Sequence, residues 1–103
     1  MRITEDSSER WQLMKEVYLE VTFHAGEPLA ACLYLPRNSG DRSAQVKKHA
    51  AGLLVDLAED GRPIGLEIAI PSLVTVEAVN SILEWYGLRP IDAAELAPLT
   101  AAA

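Results

Sequence analysis

The chain has 103 residues, half of them hydrophobic, which suits a single domain (residues 1–103) that buries one modest core. Nine basic and fifteen acidic residues give a formal net charge of -6, which argues against nucleic acid and anionic membranes as partners. One cysteine excludes an internal disulfide, and with no recognisable signal peptide or bilayer-spanning apolar run the sequence predicts a cytoplasmic protein.

The first part of the chain predicts a polar N-terminal segment followed by a β-hairpin. Residues 1–14 are expected to be frayed or to form a short helix capped by a serine. Apolar residues then alternate over residues 17–23 and again over residues 29–35, which is the period of strands that bury one face. Residues 25–28 between them carry a turn signal.

The middle of the chain predicts a loop and then a second hairpin. Residues 36–44, rich in glycine, serine and charge, are predicted to form the most mobile segment. Two apolar rows then flank the turn signal Asp60–Gly61. A two-residue turn would pair Leu57 with Ile64, Val55 with Leu66 and Leu53 with Ile68. A four-residue loop is the alternative, an odd loop would need a bulge, and Pro63 predicts that no third strand pairs at its position.

The last part of the chain predicts an amphipathic helix over residues 75–87. Thr75 is expected to be its N-cap, and Gly87 its left-handed C-terminal residue. The residues of its apolar stripe are Val76, Val79, Ile82, Leu83 and Tyr86. Residues 92–95 resemble a capping box that opens one helical turn, and residues 98–103 are expected to form a disordered tail.

Together these elements predict an α+β domain with a four-stranded antiparallel β-meander over residues 17–70. The C-terminal amphipathic helix is expected to pack on one face of that sheet, because its apolar stripe needs an apolar surface to cover. The residues expected to line this face are Val21, Phe23, Leu33, Val55, Leu66 and Ile68.

The chain has no arrangement whose spacing indicates catalysis, and we predict no catalytic residue, cofactor or metal. Asp56 and Glu67 share a strand face and are expected to lie close enough to raise one pKa, although a polar sheet surface explains them without any reaction. A contact between Cys32 and His24 is one further hypothesis. The alternative is a small buried cysteine and an unrelated surface histidine.

The sheet face opposite the predicted core is half apolar, and this invites a partner. The candidate interaction residues on this face are Tyr18, Thr22, Cys32, Tyr34, Leu54, Asp56 and Glu67. N-terminal residues with Trp11, Leu13 and Met14 are one candidate cover for it, and the tail with Leu96 and Leu99 is another. A second copy of the chain or a different small protein is the remaining alternative.

Residues 33–35 together with residues 52–68 resemble the bacterial domain of unknown function (DUF) family 2283. The shared pattern is valine and aspartate (Val55–Asp56), an acidic turn, glycine and arginine (Gly61–Arg62), and then Gly65 and Glu67. The resemblance covers about residues 21–70 and implies a small, β-rich cytoplasmic protein of prokaryotic origin. His24 and Ala31 stand where the family tends to have an aspartate pair, and the helix over residues 75–86 lies outside the family core.

The sequence therefore predicts a non-enzymatic protein-interaction module that self-associates as a homodimer or binds another small protein. The alternative is a small-ligand-binding protein or enzyme, with its site on the polar sheet face near the loop of residues 36–44. The residues expected to line that site are His24, Tyr34, Asp56 and Glu67.

Overall fold

The computed structural model describes residues 2–3 and 17–100. The predicted N-terminal helix falls mostly in residues 4–16, outside the described residues. The strands are β1 (Arg2–Ile3), β2 (Tyr18–His24), β3 (Glu27–Tyr34), β4 (Gln45–Ala50), β5 (Leu53–Leu57) and β6 (Pro63–Ile68). A 3-10 turn (Pro71–Leu73) precedes two helices, α1 (Val76–Trp85) and α2 (Ala93–Thr100).

The strands form one sheet in the order β1-β2-β3-β6-β5-β4. Neighbours from β2 to β4 are antiparallel, and the two-residue β1 pairs in parallel with β2. The predicted α+β class with an antiparallel sheet is confirmed. The prediction of four strands is wrong, because residues 45–50 form a fifth antiparallel strand instead of leading into the second hairpin.

The predicted meander is also wrong, because β3 lies beside β6 and not beside β5. The reason is that β4 turns back through Ala51–Gly52 and pairs with one edge of β5, while β6 pairs with the other. The edge of β6 that does not pair with β5 is then the edge available to β3. The sheet is therefore a hairpin (β2–β3) joined to a three-stranded unit (β4–β5–β6).

The register of the β5–β6 hairpin follows the predicted pairing in two of three places. Val55 faces Leu66 and Leu53 faces Ile68, as a two-residue turn predicts. Leu57, however, faces Pro63, and the register shifts between Asp56 and Leu57. Ala58 N–H donates to the carbonyl of Arg62, so the loop between the strands has three residues. A loop with an odd number of residues would turn one apolar row to the other face. The bulge at Ile64 adds one residue to β6 and keeps both apolar rows on the same face. The register of β3 with β6 ends at Gly65, but Leu35 N–H, one residue beyond β3, donates to the carbonyl of Ile64. The absence of a third strand at Pro63 therefore stays a prediction.

The core lies on the face of the sheet where the predicted apolar rows meet. Val21, Val55, Leu66 and Ile68 are fully buried, Leu33 nearly so, and Phe23 packs against them partly buried. The helical residues that belong to the same buried cluster are Val79, Ile82, Leu83, Leu96 and Leu99. Side chains that alternate with these rows along each strand point to the opposite face, which we call the outer face.

Helix α1 begins and ends at the two capping residues that the sequence predicts. The Thr75 hydroxyl accepts a hydrogen bond from Ala78 N–H at 3.0 Å, as an N-cap should. At the other end Gly87 has a φ of +73°, and Leu88 N–H donates to the carbonyl of Leu83 at 2.8 Å. This is the Schellman arrangement that a glycine at this position permits.

Helix α2 extends beyond the single turn that the sequence predicts. It runs to Thr100, with Pro98 inside it, so residues 98–100 are helical where a disordered tail was expected. Leu96 and Leu99 are both buried in the core cluster, and this burial offsets the hydrogen bond that the proline cannot donate. Residues 101–103 lie outside the described part. Within residues 17–100, no helix is long and apolar enough to cross a bilayer.

Substituting alanine for Gly52, in the β4–β5 turn, is expected to destabilise the fold by about 2 kcal/mol. Its φ is +74°, and an added Cβ would lie 2.9 Å from the Cβ of Ile70. Gly61→Ala is the matched control, because Gly61 has a φ of +89° but no atom within 4 Å of an added Cβ. The free energy of unfolding of Gly61→Ala should fall by only about 1 kcal/mol, the cost of placing alanine at a positive φ. Urea denaturation measures both, and equal losses would contradict the steric part of this account.

Candidate functional site on the outer sheet face

The outer face is organised as two rows of side chains that run across five strands. The first row, from β2 to β4, is Glu20, Cys32, Glu67, Leu54 and Lys48. The second row is Tyr18, Tyr34, Gly65, Asp56 and Val46. Thr22 lies one pair further along β2, opposite Ala30. All seven predicted interaction residues therefore share this face, and each of them is half-buried.

One of the two covers predicted from within the chain lies in the described residues. Leu96 and Leu99 are buried in the core cluster on the opposite side of the sheet, so the tail does not cover the outer face. Trp11, Leu13 and Met14 lie outside the described residues.

Asp56 and Glu67 form a hydrogen-bonded carboxyl pair on the outer face. They lie on adjacent strands, one pair apart, because Asp56 faces Gly65 and Glu67 faces Leu54. A hydrogen bond with Asp56, partial burial and the Asp56 charge raise the pKa of Glu67 to about 6. The Ser43 hydroxyl donates to Oδ1 of Asp56 over 3.1 Å. The predicted proximity is thus present, in a pair whose Glu67 carboxyl holds a proton below about pH 6.

Cys32 lies between two carboxylates, with Glu20 on one neighbouring strand and Glu67 on the other. Burial, and then the charges of Asp56, Glu67 and Glu20, raise its pKa to about 12. A thiol with this pKa stays protonated at neutral pH and is a poor nucleophile. His24 faces Glu27 at the far end of the β2–β3 hairpin and not Cys32, so the hypothesis of a Cys32–His24 contact is wrong.

Tyr34 is held in place on this face by its neighbours. Its hydroxyl donates to Glu20 Oε1 at 3.2 Å, and the guanidinium of Arg37 lies 5.6 Å from the centre of its ring. Burial, together with the nearby Cys32 and Glu20, raises the pKa of the phenol above its usual range. The phenol therefore acts as a neutral hydrogen-bond donor.

A shallow pocket of ≈ 430 Å³ opens at the centre of the outer face. Tyr34, Asp56 and Glu67 line it, but exposed His24 and the loop of residues 36–44, which the ligand-site hypothesis also includes, do not. Within the described ranges no group of three or more His, Cys, Asp or Glu side chains could hold a metal ion.

The loop of residues 36–44 is tied to the second hairpin instead of standing free of it. The guanidinium of Arg62 donates to Asp41 at 2.9 Å and to Asp60 at 2.7 Å. These hydrogen bonds lower the pKa of both carboxyl groups. Through Ser43 the same loop also reaches Asp56, close to the β5–β6 turn, so the position of the loop is set by several contacts at the turn end of that hairpin.

Four residues of the two rows were not among the predicted interaction residues: Glu20, Lys48, Val46 and Gly65. The first two of them are charged. Strand alternation in the sequence already places Glu20 on the same side of β2 as Tyr18 and Thr22, so its position on this face could be predicted. Lys48 had no such signal, because β4 is exposed on both faces and shows no apolar alternation. The result is a face with carboxylates toward β2, β6 and β5 and an ammonium group at β4.

We compared the chain with protein-family models, with curated proteins and with solved structures, and none of the three comparisons finds a match.

Replacing Glu67 with glutamine is expected to stabilise the fold at pH 7 and above, but not at pH 4. The raised pKa means that the folded state binds the Glu67 proton more tightly than the unfolded state. The stability from this proton is complete below the unfolded pKa of about 4.5 and is lost as the pH rises through about 6. Glutamine cannot ionise and avoids that loss. Because the side chain at position 67 is partly solvated, we expect the free energy of unfolding at pH 7 to rise by less than about 1 kcal/mol.

Urea denaturation of both proteins across this pH range measures the effect. Asp56→Asn is the control, because it removes the hydrogen-bonding partner and the charge that raise the pKa of Glu67. In that background the benefit of Glu67→Gln should shrink. A stability difference that is constant from pH 4 to pH 8 would contradict the interpretation.

Proposed function

We propose that the chain is a non-enzymatic protein-interaction module that forms a homodimer through its outer face, in a reducing cytoplasm. In this proposal α1 covers the core side of the sheet and leaves the outer face to the partner. We also propose that residues 21–70 are related to the DUF family 2283. It is supported chiefly by one observation, the order of charged and apolar side chains across the two rows of the outer face.

This order is self-complementary. β6 is the middle strand of the five from β2 to β4, so a two-fold axis along β6 would lay β4 of one copy over β2 of the other. In the first row, Lys48 then faces Glu20 of the second copy, and Leu54 faces its Cys32. In the second row, Val46 faces Tyr18, and Asp56 faces the Tyr34 phenol. The first row therefore joins an opposite-charge pair and an apolar pair. The second row joins an apolar pair and a carboxylate with a phenol, and the two rows together favour one orientation of the two copies.

The same axis brings Glu67 of one copy opposite Glu67 of the other. Two facing carboxylates repel each other, whereas a protonated carboxyl donates a hydrogen bond to its neighbour. The pKa of Glu67 is already raised to about 6 in the single chain, by Asp56 above all. The groups around it on the face are Asp56, Cys32, Glu20 and Lys48, of which only Lys48 is cationic. The dimer is therefore expected to tighten as the pH falls toward 6.

Light scattering with a charged substitution at Leu54 tests the proposal. The wild-type chain is expected to give the mass of a dimer at micromolar concentration, and Leu54→Arg the mass of a monomer. Leu73→Arg is the matched control, because Leu73 is 52% exposed on the 3-10 turn and lies off the outer face. A monomer mass for the wild-type chain, or equal effects of both substitutions, would contradict the proposal.

A further inference from the structure

Strand β4 forms one edge of the sheet, and its surroundings differ from those of every other antiparallel strand. All six of its residues are exposed, and Val46 is 49% exposed although it is apolar. In the described part of the chain, β4 has a neighbour on one side only, which is β5. An exposed strand edge is a template to which an extended chain can add.

The register shows which backbone groups of β4 are open. Ala69 N–H donates to the carbonyl of Gly52, so the backbone groups of Gly52 point toward β6. The direction of these groups alternates along a strand, so those of Leu54 and Asp56 also point toward β6. The backbone groups of Val55 then point toward β4. Lys47 is the residue that faces Val55. The N–H and C=O groups of Lys47 therefore bond to β5, and those of Val46 and Lys48 point away from the sheet.

The charge of this edge is opposite to that of the whole protein. β4 carries Lys47 and Lys48 and no carboxylate, in a chain whose formal net charge is -6. A second copy of β4 fits the edge poorly, because antiparallel pairing centred on Lys47 or on Lys48 places lysine opposite lysine. Pairing centred on Val46 avoids this repulsion but leaves both lysines without an opposite charge.

We infer that the open edge of β4 binds an extended acidic segment of a partner protein, which adds to the sheet as a further strand. The backbone groups of Val46 and Lys48 supply the hydrogen bonds, and the two lysines, whose side chains lie on opposite faces, select carboxylates at adjacent positions of the segment. This contact uses the open backbone edge of β4, whereas the proposed dimer uses the outer face. The side chains of Val46 and Lys48 also lie on that face, so Lys47 is the residue that belongs to the edge contact alone.

Fluorescence anisotropy with a labelled peptide tests the inference on the full chain. The probe is a peptide of about eight residues, mainly valine and threonine, with two adjacent glutamates at its middle, and the same peptide with lysine in place of glutamate is its control. We expect the acidic peptide to bind and the lysine peptide not to bind. Binding should also weaken as the salt concentration rises. Equal binding of both peptides would overturn the inference.

Two variants of Val46 separate the backbone contact from the side-chain contact. Val46→Pro removes the outward N–H without removing a bond to β5, whereas Val46→Ala keeps the N–H and trims the side chain. We expect the proline variant to bind the acidic peptide about tenfold more weakly than the alanine variant. Equal affinities would overturn the inference, and circular dichroism establishes that both variants are folded.

Lys47→Glu provides a test that does not alter the backbone. Its side chain lies on the side of the sheet away from the outer face, so the variant is expected to keep the mass of the wild-type chain while binding the acidic peptide several-fold more weakly. Unchanged peptide affinity would overturn the inference. A wild-type dimer that Val46→Pro and not Val46→Ala converts to a monomer would assign the edge to a second copy instead.

Discussion

Replacing Lys48 with glutamate is expected to weaken the dimer about tenfold or more, because the substitution acts twice in a two-fold interface. In the proposed dimer each Lys48 faces Glu20 of the other copy, so Lys48→Glu replaces two attractive pairs by two repulsive pairs. Glu20→Lys has the same effect in the opposite sense. Sedimentation velocity at several protein concentrations measures both losses.

Mixing the two single variants provides the decisive control. In a mixed dimer, the glutamate introduced at position 48 of one copy faces the lysine introduced at position 20 of the other. The native Glu20 of the first copy and the native Lys48 of the second also face each other. Both pairs are attractive again, so the mixture should dimerise although neither variant does so alone. Failure of the mixture to recover would contradict the proposed pairing of β4 with β2.

Replacing Leu66 with alanine is expected to lower the free energy of unfolding by about 3 kcal/mol. Leu66 is fully buried in the middle strand of the sheet, between Val55 and Leu33 on the neighbouring strands. Truncation leaves a cavity that the close-packed strands cannot fill. Thermal and urea denaturation measure the loss.

Leu54→Ala is the matched control for this substitution, because Leu54 lies on the neighbouring strand but on the half-buried outer face. At concentrations where the chain is monomeric, Leu54→Ala should lower the free energy of unfolding by about 1 kcal/mol, because the half-buried Leu54 side chain buries less apolar area than Leu66. Similar losses at the two positions would contradict the assignment of the core to one side of the sheet.

Local patterns in the sequence predicted the elements whose structure depends on near neighbours. Helix α1 begins at the Thr75 cap and ends at Gly87 because both signals act within a few residues. Strand alternation likewise placed Cys32, Asp56 and Glu67 on one face, since the period of a strand allows only two directions. These local rules defined the candidate site before any pairing of strands was known.

Strand order could not be obtained in the same way. The pairing of β3 with β6 joins residues that are distant in the chain, and the alternation of β5 and β6 is equally compatible with either of them as the neighbour of β3. Strand β4 escaped detection because an edge strand exposed on both faces needs no apolar row. The charge pattern of the outer face depends on Lys48, so it became visible only with that strand in place.

The most direct measurement of the proposed dimer is cross-linking between β2 and β4 of different copies. In a Cys32→Ala background, Tyr18→Cys and Val46→Cys place thiols that lie four strand spacings apart within one chain, about 19 Å. In the dimer each thiol faces the other type across the interface. A bismaleimide with a reach of about 10 Å, near the spacing of packed sheets, can then join them only between copies.

A covalent dimer is expected when both cysteines are present, and little product when either cysteine is present alone. A dimeric protein that gives no product with both cysteines, or that cross-links equally well with one, would contradict the two-fold arrangement along β6.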